Sequence, residues 1–421
     1  MTTTINNIPQ GYKATVLGII PQEWEVRLLN YLGAIYSGGT PDTEIAEYWN
    51  GNIAWCTPSD ITKLATKYIE NTEVKISTKG LKESSATLLP PRSIVVCTRA
   101  TIGNAAICNT EMATNQGFKN IIPNEKANPE WLYYIITYSK PRLVRLGCGS
   151  TFLEVSKKDF SRFKIAVPPL AEQRKIAEVL GVWDEAIEKQ ERLIEQLALR
   201  KRGLMQRLLS AKLRLPGFSE AWKKVKLGDI CERVTRKNIE DNQNVMTISA
   251  QRGFVAQTDF FNKSVASETL ESYYLVFRDE FCYNKSYSNG YPMGAIKRLS
   301  EAEKAVVTSL YICFNVKPGT DANIDYLSYY FDNGGLNRSL TKIANEGGRA
   351  HGLLNVTPKD FFGLSFEIPS LKEQTAIAEV LTAADREIEL AKEKLERLRR
   401  QKRGLMQQLL TGKKRVKYNK I

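Results

Sequence analysis

The chain is poor in the residues that most catalysts depend on. It has one histidine, His351, in 421 residues. A lone histidine cannot assemble a metal cluster or complete a serine–histidine–aspartate relay. The seven cysteines are scattered, odd in number and never spaced Cys-x-x-Cys, which argues against a disulfide framework and a zinc site. No apolar run reaches the roughly 18 residues a membrane-spanning helix needs. The opening stretch MTTTINNIPQGYK lacks the charged and apolar regions of a secretory signal, so the chain is expected to act in the cytoplasm. There is no Walker A glycine loop, and Gly147-Cys-Gly149 lacks the third glycine of a dinucleotide or adenosylmethionine site. Val167-Pro-Pro-Leu170 lacks both the acid or amide and the aromatic of an amino-methyltransferase tetrad. Pro41-Asp42 can be paired with Glu73-Val-Lys75 in the manner of a nuclease, but a chain this long produces such pairings by chance. These absences favour a recogniser over a catalyst, with no metal or cofactor held by the chain itself.

Acidic residues are also in short supply. Against 60 lysines and arginines stand 46 acids, giving a net charge of +14 and a pI of about 9.3. An excess of this size points to a polyanionic partner, most often nucleic acid, with an acidic protein surface as the alternative. The length suggests two to four domains. A hydrophobic fraction of 43% is enough to build their cores.

What the chain does have is an internal repeat. Lys201-Arg-Gly-Leu-Met-Gln-Arg-Leu-Leu209 returns at Lys402–Leu410 with one change, 201 positions later. The identity extends upstream without a gap, so that 21 of 40 positions match between Leu170–Leu209 and Leu371–Leu410. Glu172-Gln173 matches Glu373-Gln374, and Ile176–Leu180 matches Ile377–Leu381. The same offset pairs Val155-Ser-Lys-Lys-Asp-Phe160 with Val356-Thr-Pro-Lys-Asp-Phe361. Each half is therefore a divergent globular block followed by one long similar segment.

The similar segments read as helices. In the first, Ile176, Leu180, Trp183, Ile187, Ile194, Leu197, Leu204 and Leu208 fall in alternating steps of four and three, interrupted at Gln190 and Lys201. In the second the seam runs through Ile377, Leu381, Ala384, Ile388, Ala391, Leu395, Leu398, Leu405 and Leu409, interrupted at Lys402. Forty helical residues make a rod of about 60 Å. A single narrow stripe cannot be buried alone, so the two helices are expected to pack on each other, antiparallel, with Gln190 near the small Ala391. Gly203 and Gly404 inside the helices mark either a close backbone approach, between the helices or to a partner subunit, or a frayed stretch. The expected class is α+β: two mixed α/β globular domains joined by two long helices that form an antiparallel coiled coil, with pseudo-two-fold internal symmetry. The expected segments are 1–168, a central helix at 169–212, 213–369, a distal helix at 370–412, and a basic tail at 413–421. In that tail Lys413-Lys-Arg415 is read as a solvated end that could also touch a polyanion.

Within the blocks, short β-rich runs alternate with polar loops. Ser93–Thr98 and Asp279–Tyr283 read as buried strands, each followed by a polar loop and a second strand. The loops supply donors and acceptors beside glycine, which suits base edges or phosphates. Candidate nucleic-acid contacts are Ser37, Gly38 and Thr40; Thr98, Arg99, Thr101 and Asn104; Asn115, Gln116 and Lys119; Arg252; Asn284, Lys285, Ser286, Tyr287 and Asn289; and Arg349 with His351. His351 fits a DNA contact or an internally satisfied hydrogen-bonding group equally well.

The duplicated helices at Pro168–Leu209 and Pro369–Leu410, the stretch Thr98-Arg-Ala-Thr-Ile-Gly-Asn-Ala-Ala106 and the stretch Gly352–Phe361 together resemble one family. That family is the specificity subunits of type I restriction–modification systems, and the resemblance covers essentially the whole chain. It implies two target-recognition domains, each reading half of a bipartite double-stranded DNA site. The helices would act as a spacer and as docking surface for two methyltransferase subunits, through Ile176, Leu180, Trp183, Ile187, Ile194, Leu197, Gly203 and Leu204 and through Ile377, Leu381, Ile388, Leu395, Leu398, Gly404 and Leu405. Motor-endonuclease subunits would join the complex. S-adenosylmethionine, ATP and magnesium would belong to those partners, and no membrane is involved. A free-standing DNA-binding scaffold without a methyltransferase is the alternative, and a nuclease acting on its own is a third reading.

Overall fold

The computed structural model describes residues 8–147, 153–261, 270–346 and 354–417. It divides into two compact units: residues 1–193 with 391–421, and residues 194–390. The division runs through the middle of both long helices, unlike the sequence-level segmentation, which set each helix apart from the globular blocks.

In the first unit a five-stranded sheet is formed by β1 (Gly33–Ser37), β2 (Tyr68–Ile69), β3 (Ile94–Cys97), β4 (Ala105–Cys108) and β5 (Phe118–Pro123). Their order across the sheet is β1-β5-β3-β4-β2. The run Ile94-Val-Val-Cys97 is wholly buried, as β-branched residues in a strand covered on both faces should be. Strand Glu25–Leu28 pairs antiparallel with Lys164–Val167, which brings the start of the block beside the segment that enters the helix. Trp24, Leu29, Trp131, Tyr134 and Phe160 fill the core with Ile176, Leu180, Leu409 and Leu410 from the two helices.

The second unit repeats this plan. β6 (Cys231–Val234), β7 (Phe281–Asn284), β8 (Ala295–Arg298) and β9 (Ile312–Val316) lie in the order β6-β9-β7-β8. Strand for strand this is the order β1-β5-β3-β4 of the first unit. Lys223–Lys226 pairs with Ser365–Ile368, the counterpart of the entry pairing above. Phe281, Tyr283, Phe314, Phe331 and Phe361 pack with Leu208, Leu209, Ile377 and Leu381. The loop between β3 and β4 and the loop between β7 and β8 thus hold the same place in two sheets of unrelated sequence.

The long helices span Leu170–Leu208 and Leu371–Leu409. Within the first unit Gln190 Nε2 donates to the Ala391 carbonyl at 3.0 Å, Arg399 Nη2 reaches Glu191 at 2.6 Å, and Lys402 pairs with Asp184. Within the second unit Lys201 Nζ lies 2.5 Å from Asp385 and Arg200 pairs with Glu387. In each unit residues rising along one helix meet residues falling along the other, so the segments run in opposite directions. The three polar interruptions of the seams, Gln190, Lys201 and Lys402, each meet a polar partner on the facing helix. Such pairs specify register, because a shifted helix would leave them unmatched.

A second repeated device fixes each helix start. Gln173 accepts from the Asn128 amide and donates to the Lys126 and Pro168 carbonyls. Gln374 does the same with Asn323, Asp321 and Pro369. The preceding glutamate is buried in both copies. Glu172 receives Arg415 through Nε at 2.6 Å and Nη2 at 2.8 Å, and Trp24 Nε1 at 2.9 Å. Glu373 receives Arg214 at 2.6 and 2.7 Å. Arg214 and Arg415 are again 201 residues apart. Reading Lys413-Lys-Arg415 as a solvated end is corrected for Arg415: a desolvated carboxylate needs a cation, and this is the one it has.

Neither reading of the two helix glycines within the chain holds. The helices continue through Gly203 and Gly404, and a Cβ at either would meet nothing within 4 Å.

Candidate nucleic-acid interface

In the first unit four polar segments converge at one edge of the sheet. Gly38 is required there, since a Cβ would fall 1.8 Å from the Asn115 carbonyl oxygen. Thr40 Oγ1 donates to Gln116 Oε1. Ser37 lies opposite Lys119 in the β1–β5 register. Thr98 donates through its amide at 2.8 Å and its hydroxyl at 3.1 Å to the Gly117 carbonyl. Ser37, Gly38, Thr40, Thr98, Arg99, Asn115, Gln116 and Lys119 are brought together by these contacts. Thr101 and Asn104 are not: the Thr101 hydroxyl is buried, and Asn104 accepts from Lys140 Nζ at 2.8 Å.

Glu154 sits at the centre of this group. Arg99 donates to it through Nε at 3.1 Å and Nη2 at 2.5 Å, and the buried Lys119 Nζ lies 3.3 Å away. Burial pushes the Glu154 carboxyl up, but the Arg99 and Lys119 bonds outweigh it and hold it below the usual range. Two cations on one carboxylate leave a net positive point, and the Nη1 edge of Arg99 meets no partner among the described residues. Glu154 was not among the sequence candidates; it lies 55 residues from Arg99 in the chain.

In the second unit Asn284, Ser286, Tyr287 and Asn289 line a cleft of about 410 Å³, opposite the hairpin of Met246–Ser249 and Gly253–Ala256. Asn284 Nδ2 donates to the Ile248 carbonyl at 3.3 Å, and its Oδ1 accepts from the Ser286 amide at 3.0 Å. Tyr311 and Thr247 hydroxyls are 3.0 Å apart at the cleft floor. Tyr287 is 64% exposed at the rim. Lys285 is half-buried and pairs with no carboxylate among the described residues; burial lowers its pKa. Arg252 follows the hairpin turn, its amide bonded to Ser249 Oγ at 3.2 Å. Thr247, Ser249 and Tyr311 are cleft residues that sequence reading missed, and Gln251 lies in the polar loop Ala250-Gln-Arg-Gly253 that the sequence offers. Arg349 and His351 lie outside the described residues.

On the helices Ile176, Leu180, Leu197, Ile377, Leu381 and Leu395 are buried. Trp183, Ile187, Ile194, Gly203, Leu204, Ile388, Leu398 and Leu405 are half-buried, and Gly404 is exposed. Arg202 and Gln206, and their copies Arg403 and Gln407, are exposed, and no side-chain partner is recorded for them among the described residues. Spaced by four, each pair shares one helix face.

Among the described residues no group of three or more His, Cys, Asp or Glu could hold a metal ion. Glu73, half of the nuclease-like pairing, is held by Lys63 at 2.8 Å, and Asp42 caps the Glu44 amide. No described helix is long and apolar enough to cross a membrane.

Two sheets of the same strand order, each carrying a polar loop cluster and joined to a duplicated helix, define a tandem specificity-domain protein. The family model of the type I restriction modification DNA specificity domain matches residues 21–198 and again 219–400, and the chain belongs to that family. It is 39% identical over 194 residues to the type I restriction enzyme MjaIX specificity subunit of Methanocaldococcus jannaschii, covering 45% of each chain. It is 29% identical over 180 residues to the EcoR124I/EcoR124II specificity subunit of Escherichia coli, covering 41% of this chain and 44% of that one. The matches thus span less than half the length of these two curated relatives. A putative MjaX specificity subunit of M. jannaschii matches at 26% identity over 97% of both chains. Among solved structures, the HsdS subunit from Thermoanaerobacter tengcongensis has the same fold, with a TM-score of 0.52 at 17% identity over 93% of this chain and 98% of that one. A chain from work on complex assembly and conformational transition of the type I R-M system gives 0.59 at 18%, over 93% and 99%.

Proposed function

We propose that this chain is the DNA-recognition subunit of a type I restriction–modification complex. Each unit reads one half of a bipartite, asymmetric double-stranded site. The paired helices set the distance between the half-sites and dock two methyltransferase subunits, with motor-endonuclease subunits joining the assembly. Adenosylmethionine-dependent methylation and ATP- and magnesium-dependent cleavage belong to those partners, and the complex acts in the cytoplasm. The observation that carries this reading is a contrast within one chain. Loops at the same place in two like sheets differ completely, whereas exposed helix residues without internal partners, Arg202, Gln206, Arg403 and Gln407, are identical. Two unlike loops suit two unlike half-sites; two like faces suit two copies of one partner.

The test is a map of modified adenines after co-expression with the neighbouring methyltransferase. A bipartite motif that disappears when this gene is removed is the expected result. No motif, with methyltransferase intact, would leave a free-standing DNA-binding scaffold. Replacing Arg99 by alanine should weaken DNA binding, because one of the two cations on Glu154 is lost while the carboxylate remains; unchanged affinity and methylation would refute its role. Binding should fall steeply with salt, about a thousandfold between 50 and 200 mM if six phosphates are contacted. A flat response would remove the electrostatic argument.

A further inference from the structure

The cleft of the second unit carries a more specific statement, which rests on the DNA-recognition reading above. Its lining carries no charged side chain; Ile248, Ala250 and Ala295 supply apolar wall, and Thr247, Ser249, Gln251, Asn284, Ser286 and Asn289 supply polar groups. Of its three carboxamides, Asn284 is consumed internally by Ile248 and Ser286. Gln251 and Asn289 are exposed, and no hydrogen bond is recorded for either among the described residues. They stand on opposite banks. Gln251 is in the turn between strands Met246–Ser249 and Gly253–Ala256, and Asn289 is in the loop after β7. The bank that carries Asn289 is held in shape by Gly294, where a Cβ would fall 2.3 Å from the Asn284 carbonyl oxygen at a φ of +71°. At the root of that loop stands Lys285, half-buried and without a carboxylate partner among the described residues.

We propose that this cleft reads an A·T pair in the half-site of the second unit, with Gln251 and Asn289 as the specificity-determining residues and Lys285 on the adjoining phosphate. A carboxamide presents one donor and one acceptor on one edge, the complement of adenine N6 and N7 in the major groove. Guanine offers two acceptors there and is matched by a guanidinium or ammonium group. The cleft lining has neither. A half-buried cation lacking a counter-charge gains more from a phosphate oxygen than an exposed, already paired one. The corresponding site of the first unit is built oppositely, with Arg99 of the β3–β4 loop and Lys119 of β5 both bonded to Glu154. The two half-sites therefore differ in the chemistry that recognises them.

The experiment is a methylation map of the whole complex carrying Gln251→Ala, Gln251→Glu or Asn289→Ala beside the wild type. With Gln251→Ala, discrimination at one A·T position of one half-site should fall about tenfold or more, while the other half-site stays unchanged. Gln251→Glu keeps the shape but only accepts, so preference at that position should move toward cytosine, whose N4 amine donates. Lys285→Met should lower modification evenly across sequences and reduce the salt slope of binding by about one. Broadening at a G·C position, or an even loss with the motif intact for both Gln251 and Asn289 variants, would overturn the assignment. Absence of any motif from the wild-type complex would instead overturn the recognition reading on which it rests.

Discussion

Glu172→Leu is expected to destabilise the first unit by about 3 kcal/mol, the low end for breaking a buried ion pair. The carboxylate is fully buried and receives two bonds from Arg415 and one from Trp24. Leucine leaves the indole N–H without its acceptor and takes the buried carboxylate from Arg415, which keeps its exposed pairing with Glu23 at 2.9 Å. The Arg415 side chain is 30% exposed and regains some water, which keeps the loss moderate. The informative control is Glu172→Leu with Arg415→Met. Removing both charges should restore most of the stability, because apolar replacement of a whole buried pair is far less costly than orphaning one member. Denaturant melts of the single and double variants give the coupling directly. A single variant that melts with the wild type would show that the latch contributes nothing. Removal of residues 413–421 should behave as the loss of Arg415, not as the trimming of an inert tail.

The second large effect concerns spacing. Inserting one heptad into each helix, after Gln190 and after Ala391, should lengthen the gap in the modified motif by about three base pairs. Seven residues add about 10 Å of helix, and base pairs are stacked about 3.4 Å apart. Both helices must be lengthened. An insertion in one alone would pull Lys201 from Asp385 or Lys402 from Asp184. That single insertion should give poorly folded protein, and the paired one a folded subunit with a new motif. A paired variant that is folded, active and unchanged in spacing would sink the spacer reading.

Much of this plan was legible in the sequence because it rests on local periodicity. Ile176, Leu180, Ile377 and Leu381 recur at heptad positions, and the strands Ile94–Cys97 and Phe281–Asn284 lie within one or two residues of the apolar runs that predict them. The repeat itself needed only an offset. What was not legible depends on partners distant in the chain. Lys201 and Lys402 read as breaks in a seam; their meaning lies in Asp385 and Asp184, 184 and 218 residues away. Glu172-Gln173 was visible as an identity, but its bonds reach Asn128 and Arg415, which no helical pattern announces. Arg99 was chosen as a free cation in a loop and is half-spent on Glu154. In the second unit the loop Ala250-Gln-Arg-Gly253 is visible in the sequence, but that its Gln251 faces the loop at Asn289 emerges only once the strands are paired. The unit boundaries were hidden for the same reason, since Ile176 packs with Leu409 and Leu410 across more than half the chain.

The first unit takes residues from both ends of the polypeptide, whereas the second is continuous from 194 to 390. On the ribosome this reverses the usual order. The leading block emerges first, yet Leu409, Leu410 and Arg415, which complete its core and its latch, follow residue 193 by more than 200 positions. At about 5–20 residues per second, it waits on the order of 10 to 50 s for them. During that time the apolar face around Trp24, Ile176 and Leu180 is uncovered, while the later half already has every residue it needs. A chain released between residues 391 and 408 would therefore lose the completion of its first-made unit and spare its second.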